Sequence, residues 1–433
     1  MRLLAVTWTS DRSEAALWLG LKARGWEIEV VCDPAEPRAA EFRAAGLAVT
    51  TCAIRSKLDW RTVRLVRERI KTFGADLIYA PTTKGLSISL QATRRPLTST
   101  FHPPPSTHIL PPSTFPLPPA TLTPSRRGLR VPVIGFRGTL GRISRWDPAN
   151  WLTYFHPRCA RVVCLSNAVL RHLTAHGVSP KRLVRVYLGQ DPSWYVNLPR
   201  AERSPPALLP PSTFHPPPSI SHLAPAFLSR AALGIAEDAF LVGFTGALRP
   251  IKGVDVLIGA LGRLKAAVPV TALLVGKVRD PRLPGMAAQA MRAASDAGRR
   301  LQIIFTGARS DAAALAGLCD LFVMPTLRDE GLSRSVMEAM AQGVPAVVSA
   351  VGGLPELVED GICGAVVPPR DETALAAALS LYAASPALCR SHGAGARERI
   401  AQRFHIDRMI DEMDRIFREV RQGTCPVGAA PLS

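Results

Sequence analysis

Closely spaced cysteines, long apolar runs and aromatic side chains are scarce in this chain, and each shortage removes a class of protein. The eight cysteines are scattered, Cys159 and Cys164 are the closest pair, and CxxC never occurs. Neither a zinc site nor a disulfide framework is therefore written in the sequence, and no metal is expected. No apolar run reaches the roughly 18 residues that a membrane-spanning helix needs. The apolar opening from Leu3 to Trp8 stops at Asp11 and Arg12, too short for a secretion signal. A cytoplasmic protein is expected. Aromatic residues make up only 6% and the arginines stand singly, which leaves few platforms for base stacking and argues against nucleic acid as a partner.

Acidic residues are also scarce, but only in the first half. Residues 1–230 hold 31 Lys and Arg against 13 Asp and Glu, whereas residues 231–433 hold 22 against 21. Nearly all of the formal net charge of +19 thus sits on one half, a field that attracts an anionic membrane surface, a lipid-linked acceptor or a phosphorylated substrate. Length and composition are otherwise ordinary: 433 residues with 47% apolar and 20% charged side chains suit two or three domains with cores of their own.

Proline is abundant, and it is concentrated. The octapeptide Ser-Thr-Phe-His-Pro-Pro-Pro-Ser occurs at Ser99–Ser106 and again at Ser212–Ser219. Two stretches, Pro96–Pro124 and Pro205–Pro225, hold 18 of the 39 prolines. Such segments can join neither a helix interior nor a central strand, so both read as extended insertions, at about 96–127 and 201–229. Ligands for an aromatic-lined groove are the alternative. The identical repeat at two sites suggests repetitive DNA translated in frame, and His102, His108, His215 and His222 within these stretches are not expected to bind metal.

Outside the insertions, short apolar runs alternate with longer amphipathic ones. Strands are predicted at 2–7, 27–32, 47–52, 76–79, 131–136 and 162–165, with helices such as 14–23 and 60–72 between them. The rhythm restarts with strands at 240–245, 271–275, 301–306, 321–324, 346–349 and 365–367 and helices including 254–265, 312–318 and 333–341. Near-continuous apolar strands separated by helices imply parallel sheets covered on both faces. The expected architecture is α/β: two doubly wound, Rossmann-like domains at 1–200 and 230–403, followed by a charged amphipathic helix within 404–422. A ligand is expected at the carboxyl ends of the strands, in the cleft between the domains.

The most informative stretch runs from Pro325 to Pro345. A strand ends near Met324, a helix follows the acidic residues and runs to about Gln342, and Gly343 stops it. Glu330 and Glu338 are eight residues apart, roughly 12 Å along a helix, too far for an acid/base dyad. They suit the two ends of an extended ligand, with amide groups around Gly331, Leu332, Ser333 and Arg334 facing a phosphate between them. A capping carboxylate and an exposed helix glutamate are the plain alternative.

Glu330-x7-Glu338, followed by Ala-Met-Ala and Gly-Val-Pro, resembles the acidic signature of glycosyltransferase family 4, retaining enzymes of the GT-B fold. The likeness continues in Val242-Gly-Phe-Thr-Gly246-Ala-Leu-Arg249-Pro-Ile-Lys252-Gly253 and in Gly352-Gly353-Leu-Pro355-Glu356. It covers about residues 238–403, and the first 200 residues only by pattern and by Ser166. The resemblance implies that Lys252 and Arg249 hold a diphosphate whose charge grows as the sugar–phosphate bond breaks. It also implies that Glu338 accepts hydrogen bonds from the nucleotide ribose and Glu330 from the donor sugar. Lys252, Arg249 and Glu330 are the catalytic candidates. Gly246, Gly276 and Gly307 are expected to end strands where the backbone approaches the nucleotide, although ordinary turns explain each singly. In the family the reaction keeps anomeric configuration and proceeds on one face, with no metal and no dedicated protein base. The nucleotide-sugar is a substrate and no cofactor is implied. The last helix of the GT-B fold crosses back to the first domain.

The departures fall on the first half. Ala247 stands where an Arg is common, with Arg249 in the same turn. The glycine pair after the first strand is replaced by Trp8-Thr-Ser-Asp11-Arg12, and Arg137 stands where a His is common. Arg137 and Arg142, with Arg145 nearby, and Asp11 are therefore the acceptor-side candidates, a solvated basic loop being the alternative for the arginines. His172 and His176 have a metal-binding spacing but no third ligand, so surface histidines are the better reading. The overall expectation is a retaining hexosyltransferase acting on a glycan or lipid-linked acceptor in cell-surface polysaccharide or lipopolysaccharide synthesis, at the inner face of the membrane. A GT-B epimerase and a non-catalytic polyanion- or partner-binding protein are the rivals.

Overall fold

The computed structural model describes residues 1–94, 131–195 and 229–423. Nearly all of both proline-rich stretches lies outside the described residues, and so do the readings made of them. Seven strands form the first sheet: β1 (Arg2–Val6), β2 (Glu27–Cys32), β3 (Ala48–Thr51), β4 (Leu77–Ala80), β5 (Val133–Arg137), β6 (Cys159–Cys164) and β7 (Leu183–Arg185). Six form the second: β8 (Phe240–Thr245), β9 (Val270–Val275), β10 (Leu301–Gly307), β11 (Leu321–Met324), β12 (Ala346–Ser349) and β13 (Gly364–Val367). The orders are β3-β2-β1-β4-β5-β6-β7 and β10-β9-β8-β11-β12-β13, with parallel pairing throughout. These are two doubly wound sheets, the α/β architecture expected.

The alternation of side chains along β1 shows why its sequence is apolar at every position. Leu3 and Ala5 enter the core beneath helix Arg12–Ala23, while Leu4 and Val6 enter the opposite core beneath Trp60–Arg69 and Thr83–Ala92. Strand β7 has no counterpart among the expected strands. Its three residues Leu-Val-Arg follow Lys181 and Arg182, too short and too charged to give a period-2 signal. The helix expected at 60–72 is α-helical only to Arg69 and continues as a π turn at Ile70–Gly74.

The last helix, Ile406–Gln422, packs on the first domain. Ile410, Met413, Ile416 and Phe417 join the core of Trp18 and Trp26, and the Trp26 indole donates to Asp414 Oδ1 at 2.6 Å. Gly20 makes room for this contact, because a Cβ there would lie 2.5 Å from Ile410 Cδ1. Where the chain returns, Gln190 N donates to Phe404 O at 2.7 Å and Ile406 N to Gln190 O at 3.0 Å. No single helix among the described residues is long and apolar enough to cross a membrane.

Candidate functional site

Strand order reverses between β8 and β11, and the loops leaving these two strands build the site. After β8 the chain turns through Gly246 and makes a 3-10 turn at Pro250–Lys252. It enters helix Val254–Arg263 through Gly253, whose φ is +66°. A Cβ on Gly253 would lie 2.0 Å from the Pro325 carbonyl oxygen, and Leu327 N donates to Ile251 O at 2.9 Å. The two loops are thus locked together by backbone contact that only glycine permits. The lock brings Lys252 Nζ to 2.5 Å from Glu330 Oε2, with both side chains largely buried, and Thr326 Oγ1 donates to the same oxygen at 3.3 Å. Asp329, immediately before Glu330, sits at φ +64°, a strained conformation for a residue other than glycine. The Arg249 side chain, in the same turn as Lys252, is exposed and makes no hydrogen bond or ion pair among the described residues.

Glu330 precedes the helix rather than lying on it. The helix spans Arg334–Ala341, so the eight-residue spacing is part loop and part helix, and the 12 Å expected for a continuous helix does not apply. Leu332 and Ser333 are buried, and the Ser333 hydroxyl meets Ser335 Oγ at 3.2 Å instead of capping the first turn. Glu338 lies among Arg334, Arg12 and Asp11. Burial pushes its carboxyl up to about 7, with Arg334 and Arg12 pulling down and Asp11 pushing further up. Its carboxylate makes no hydrogen bond with a described residue.

The first domain reaches this site at several points. Arg334 Nη2 pairs with Asp11 Oδ2 at 2.7 Å, while Asp11 Oδ1 caps helix Arg12–Ala23 through Glu14 N. Asp11, an acceptor-side candidate, is thus already engaged in a cap and an interdomain ion pair. Arg12 lies over the Trp194 ring at 4.5 Å and near Tyr195 at 5.8 Å. Burial lowers its pKa against the fields of Tyr195, Asp191 and Glu338. Sequence reasoning gave Arg12 no role, because only the fold carries the start of the first helix to the hinge.

Three site candidates make further contacts. A Cβ on Gly331 would lie 1.9 Å from Gly138 O of the first domain, so Gly331 permits a close interdomain approach. Gly276 serves strand packing, since its Cβ would lie 1.9 Å from Gly246 O. Gly246 N donates to Val275 O and Gly276 N to Gly307 O, which ties the ends of β8, β9 and β10 together; Gly307, at φ +72°, has open space beside it. Arg137 is turned back on its own loop, donating to Thr139 O at 2.8 Å and Gly141 O at 2.5 Å, so it shapes the loop that meets Gly331. Arg142 and Arg145 are exposed. His172 and His176 have ring centroids 4.4 Å apart with the rings tilted at 45°, and no group of three His, Cys, Asp or Glu among the described residues could hold a metal. Replacing Gly331 by Ala is expected to force the domains apart, read as a larger radius of gyration by small-angle scattering with the melting transition still cooperative.

The chain is similar to known proteins in both halves. Residues 15–194 match the profile of Glycosyltransferase Family 4, and residues 239–384 match that of Glycosyl transferases group 1. A D-inositol 3-phosphate glycosyltransferase of Saccharomonospora viridis is 32% identical over 199 residues, 44% of this chain and 45% of that protein. One of Stackebrandtia nassauensis is 34% identical over 157 residues, 35% of each chain. The matched stretch therefore spans less than half the length of these relatives. Among solved structures, Anabaena Alr3699/HepE in complex with UDP superposes with a TM-score of 0.67 at 20% identity, covering 97% of this chain and 100% of that one. WaaG, a glycosyltransferase involved in lipopolysaccharide biosynthesis, superposes with a TM-score of 0.58 at 15% identity, covering 96% and 99%. With every strand but β1 inside these two matches and the whole architecture shared with such structures, the chain belongs to the family 4, or group 1, glycosyltransferases and has their GT-B fold.

Proposed function

We propose that this protein is a retaining glycosyltransferase that moves a hexose from a nucleotide-sugar donor to a glycan or lipid-linked acceptor. The observation that carries the reading is the largely buried Lys252–Glu330 pair at the switch point, with Arg249 exposed in the same turn as Lys252 and Glu338 on the following helix. In this reading a donor diphosphate takes the Lys252 ammonium and the Arg249 fork, which stabilise the charge that develops as the sugar departs. Glu330, released from Lys252, accepts from sugar hydroxyls, and Glu338 accepts from the ribose. Solved neighbours bound to UDP favour a uridine diphosphate donor. The test is product analysis with candidate donors and acceptors, the anomeric configuration being read by proton NMR. Retention is expected; inversion, or conversion of donor alone to an epimer, would overturn the assignment.

The acceptor side faces a basic first domain. Trp60 and Trp146 are 67% and 84% exposed, Trp151 is half exposed, and exposed arginines including Arg61, Arg64, Arg142 and Arg145 lie near them in sequence. Amphipathic rings beside cations suit an anionic membrane surface, which supports a reading of the enzyme as cytoplasmic, at the inner face of the membrane, in cell-surface polysaccharide or lipopolysaccharide synthesis. Co-sedimentation with anionic vesicles is expected to fall steeply with salt and to weaken in Trp146→Ala. Binding that is absent, or indifferent to salt, would remove the membrane from the account.

A further inference from the structure

Glu356 belongs to the second domain, but its carboxylate is spent on the first. Oε2 accepts from Asn167 N at 2.8 Å and from the Tyr187 hydroxyl at 3.0 Å, and Oε1 accepts from Ala168 N at 2.8 Å. Asn167 and Ala168 are the first two residues of helix Asn167–Ala175, whose own cap, Ser166, bonds Val169 N. The cap and the borrowed carboxylate thus divide the helix's unpaired amides between them, and the helix dipole favours the negative charge. Tyr187 is held for this contact by Phe404, 4.9 Å away, and by Arg185 over its ring at 4.2 Å.

The same segment grips the donor-side carboxylate from behind. Glu356 lies in the short helix Leu354–Leu357, which follows Gly353. Gly353 N donates to Glu330 O at 3.1 Å, and Cβ atoms on Gly352 and Gly353 would lie 1.8 Å from the carbonyl oxygens of Glu330 and Gly331. On its other side Gly353 approaches Ser166, to which a Cβ would come within 3.0 Å. A short chain of contacts therefore runs from the first domain through Glu356 and Gly353 to the backbone of Glu330, and on to Lys252.

We propose that Glu356 is a positioning residue: by binding the amino end of helix Asn167–Ala175 and Tyr187 it holds the two domains closed and sets Glu330 against Lys252 in the closed state. The reaction it serves is the one proposed above, but the closure itself does not depend on that reading. Both carboxylate oxygens face N–H donors, so Glu356→Gln must turn an NH2 group toward one of them and lose a bond, while keeping size and packing. Tyr187→Phe removes the hydrogen bond to Glu356 and a longer one, 3.4 Å, accepted from Asn167 Nδ2, and keeps the ring on Phe404.

The test has a structural arm and a catalytic arm. In hydrogen exchange of the ligand-free protein, Glu356→Gln is expected to speed exchange at the start of helix Asn167–Ala175 at least tenfold and to enlarge the radius of gyration. Tyr187→Phe is expected to act in the same direction but less, and to add less in the Glu356→Gln background than it does alone. With whichever donor the wild type turns over, Glu356→Gln is expected to lower kcat by at least tenfold and to change donor KM less than twofold, because the donor is held by the second domain. Unchanged exchange and scattering in a folded Glu356→Gln protein would overturn the proposal, and so would additive effects of the two substitutions. An intact clamp in a wild type that turns over no donor would instead count against the glycosyltransferase reading.

Discussion

Glu338→Gln is expected to stabilise the ligand-free protein at pH 8 and to abolish most of its nucleotide binding. Burial raises this carboxyl from the usual 4.5 to about 7. The folded state thus binds the proton more tightly than the unfolded chain does, the reverse of the common carboxylate case. Stability from this group is complete below about 4.5 and is lost as pH rises to about 7, a loss of roughly 3 kcal/mol. Glutamine mimics the protonated form, so the variant should melt several degrees higher than the wild type at pH 8 and at nearly the same temperature at pH 4. Binding runs the other way. If ribose hydroxyls donate to the ionised carboxylate, affinity for UDP-glucose, whose phosphates stay ionised, should rise with pH through about 7 in the wild type and be weak and flat in the variant. Calorimetric titration at pH 6 and pH 8 reads this directly. A carboxylate that costs stability in the empty protein is sensible at a site completed by its ligand.

Breaking the Lys252–Glu330 pair is expected to harm both stability and turnover, and the two effects can be separated. Lys252→Met leaves a mostly buried Glu330 carboxylate with only the Thr326 hydroxyl for company, a loss of roughly 3–5 kcal/mol. The double variant Lys252→Met/Glu330→Gln removes the stranded charge and should regain most of that stability. It should not regain function. Removal of the cation at a developing diphosphate lowers kcat by roughly 10² to 10³ when the interaction is made in the transition state. Chemical denaturation and single-turnover kinetics of the two single variants and the double variant complete the cycle. A double variant destabilised by the sum of the two single effects would show that the pair is not coupled.

The parts that sequence exposed are those with local causes. Strands β8, β11 and β12 begin and end where their apolar runs do, and Gly343, at φ +75°, stops helix Arg334–Ala341 where a glycine signal was read. The acidic signature and the Lys252 turn were legible because the residues within each motif are close in sequence. Contacts across the cleft were not. Asp11 meets Arg334 and Glu356 meets Asn167 only because two separately folded sheets face each other, and no periodicity encodes that distance. Glycines are ambiguous for a related reason: the sequence shows that a Cβ is missing at Gly276 and Gly331, but that strand backbone lies there at one and the first domain at the other is a tertiary fact. The motif around Glu356 was visible, and its use as a clamp was not.

The measurement that bears most directly on the account is a thermal-shift screen of the purified protein against UDP, GDP, ADP and CMP and their common sugar conjugates. The account predicts a selective shift with one nucleotide family, about 2.7 kcal/mol of added stability at 100 times the dissociation constant, absent in Glu338→Gln. A cooperatively melting wild type that shifts with none of them would contradict the claim that Lys252, Glu330 and Glu338 form a working donor site.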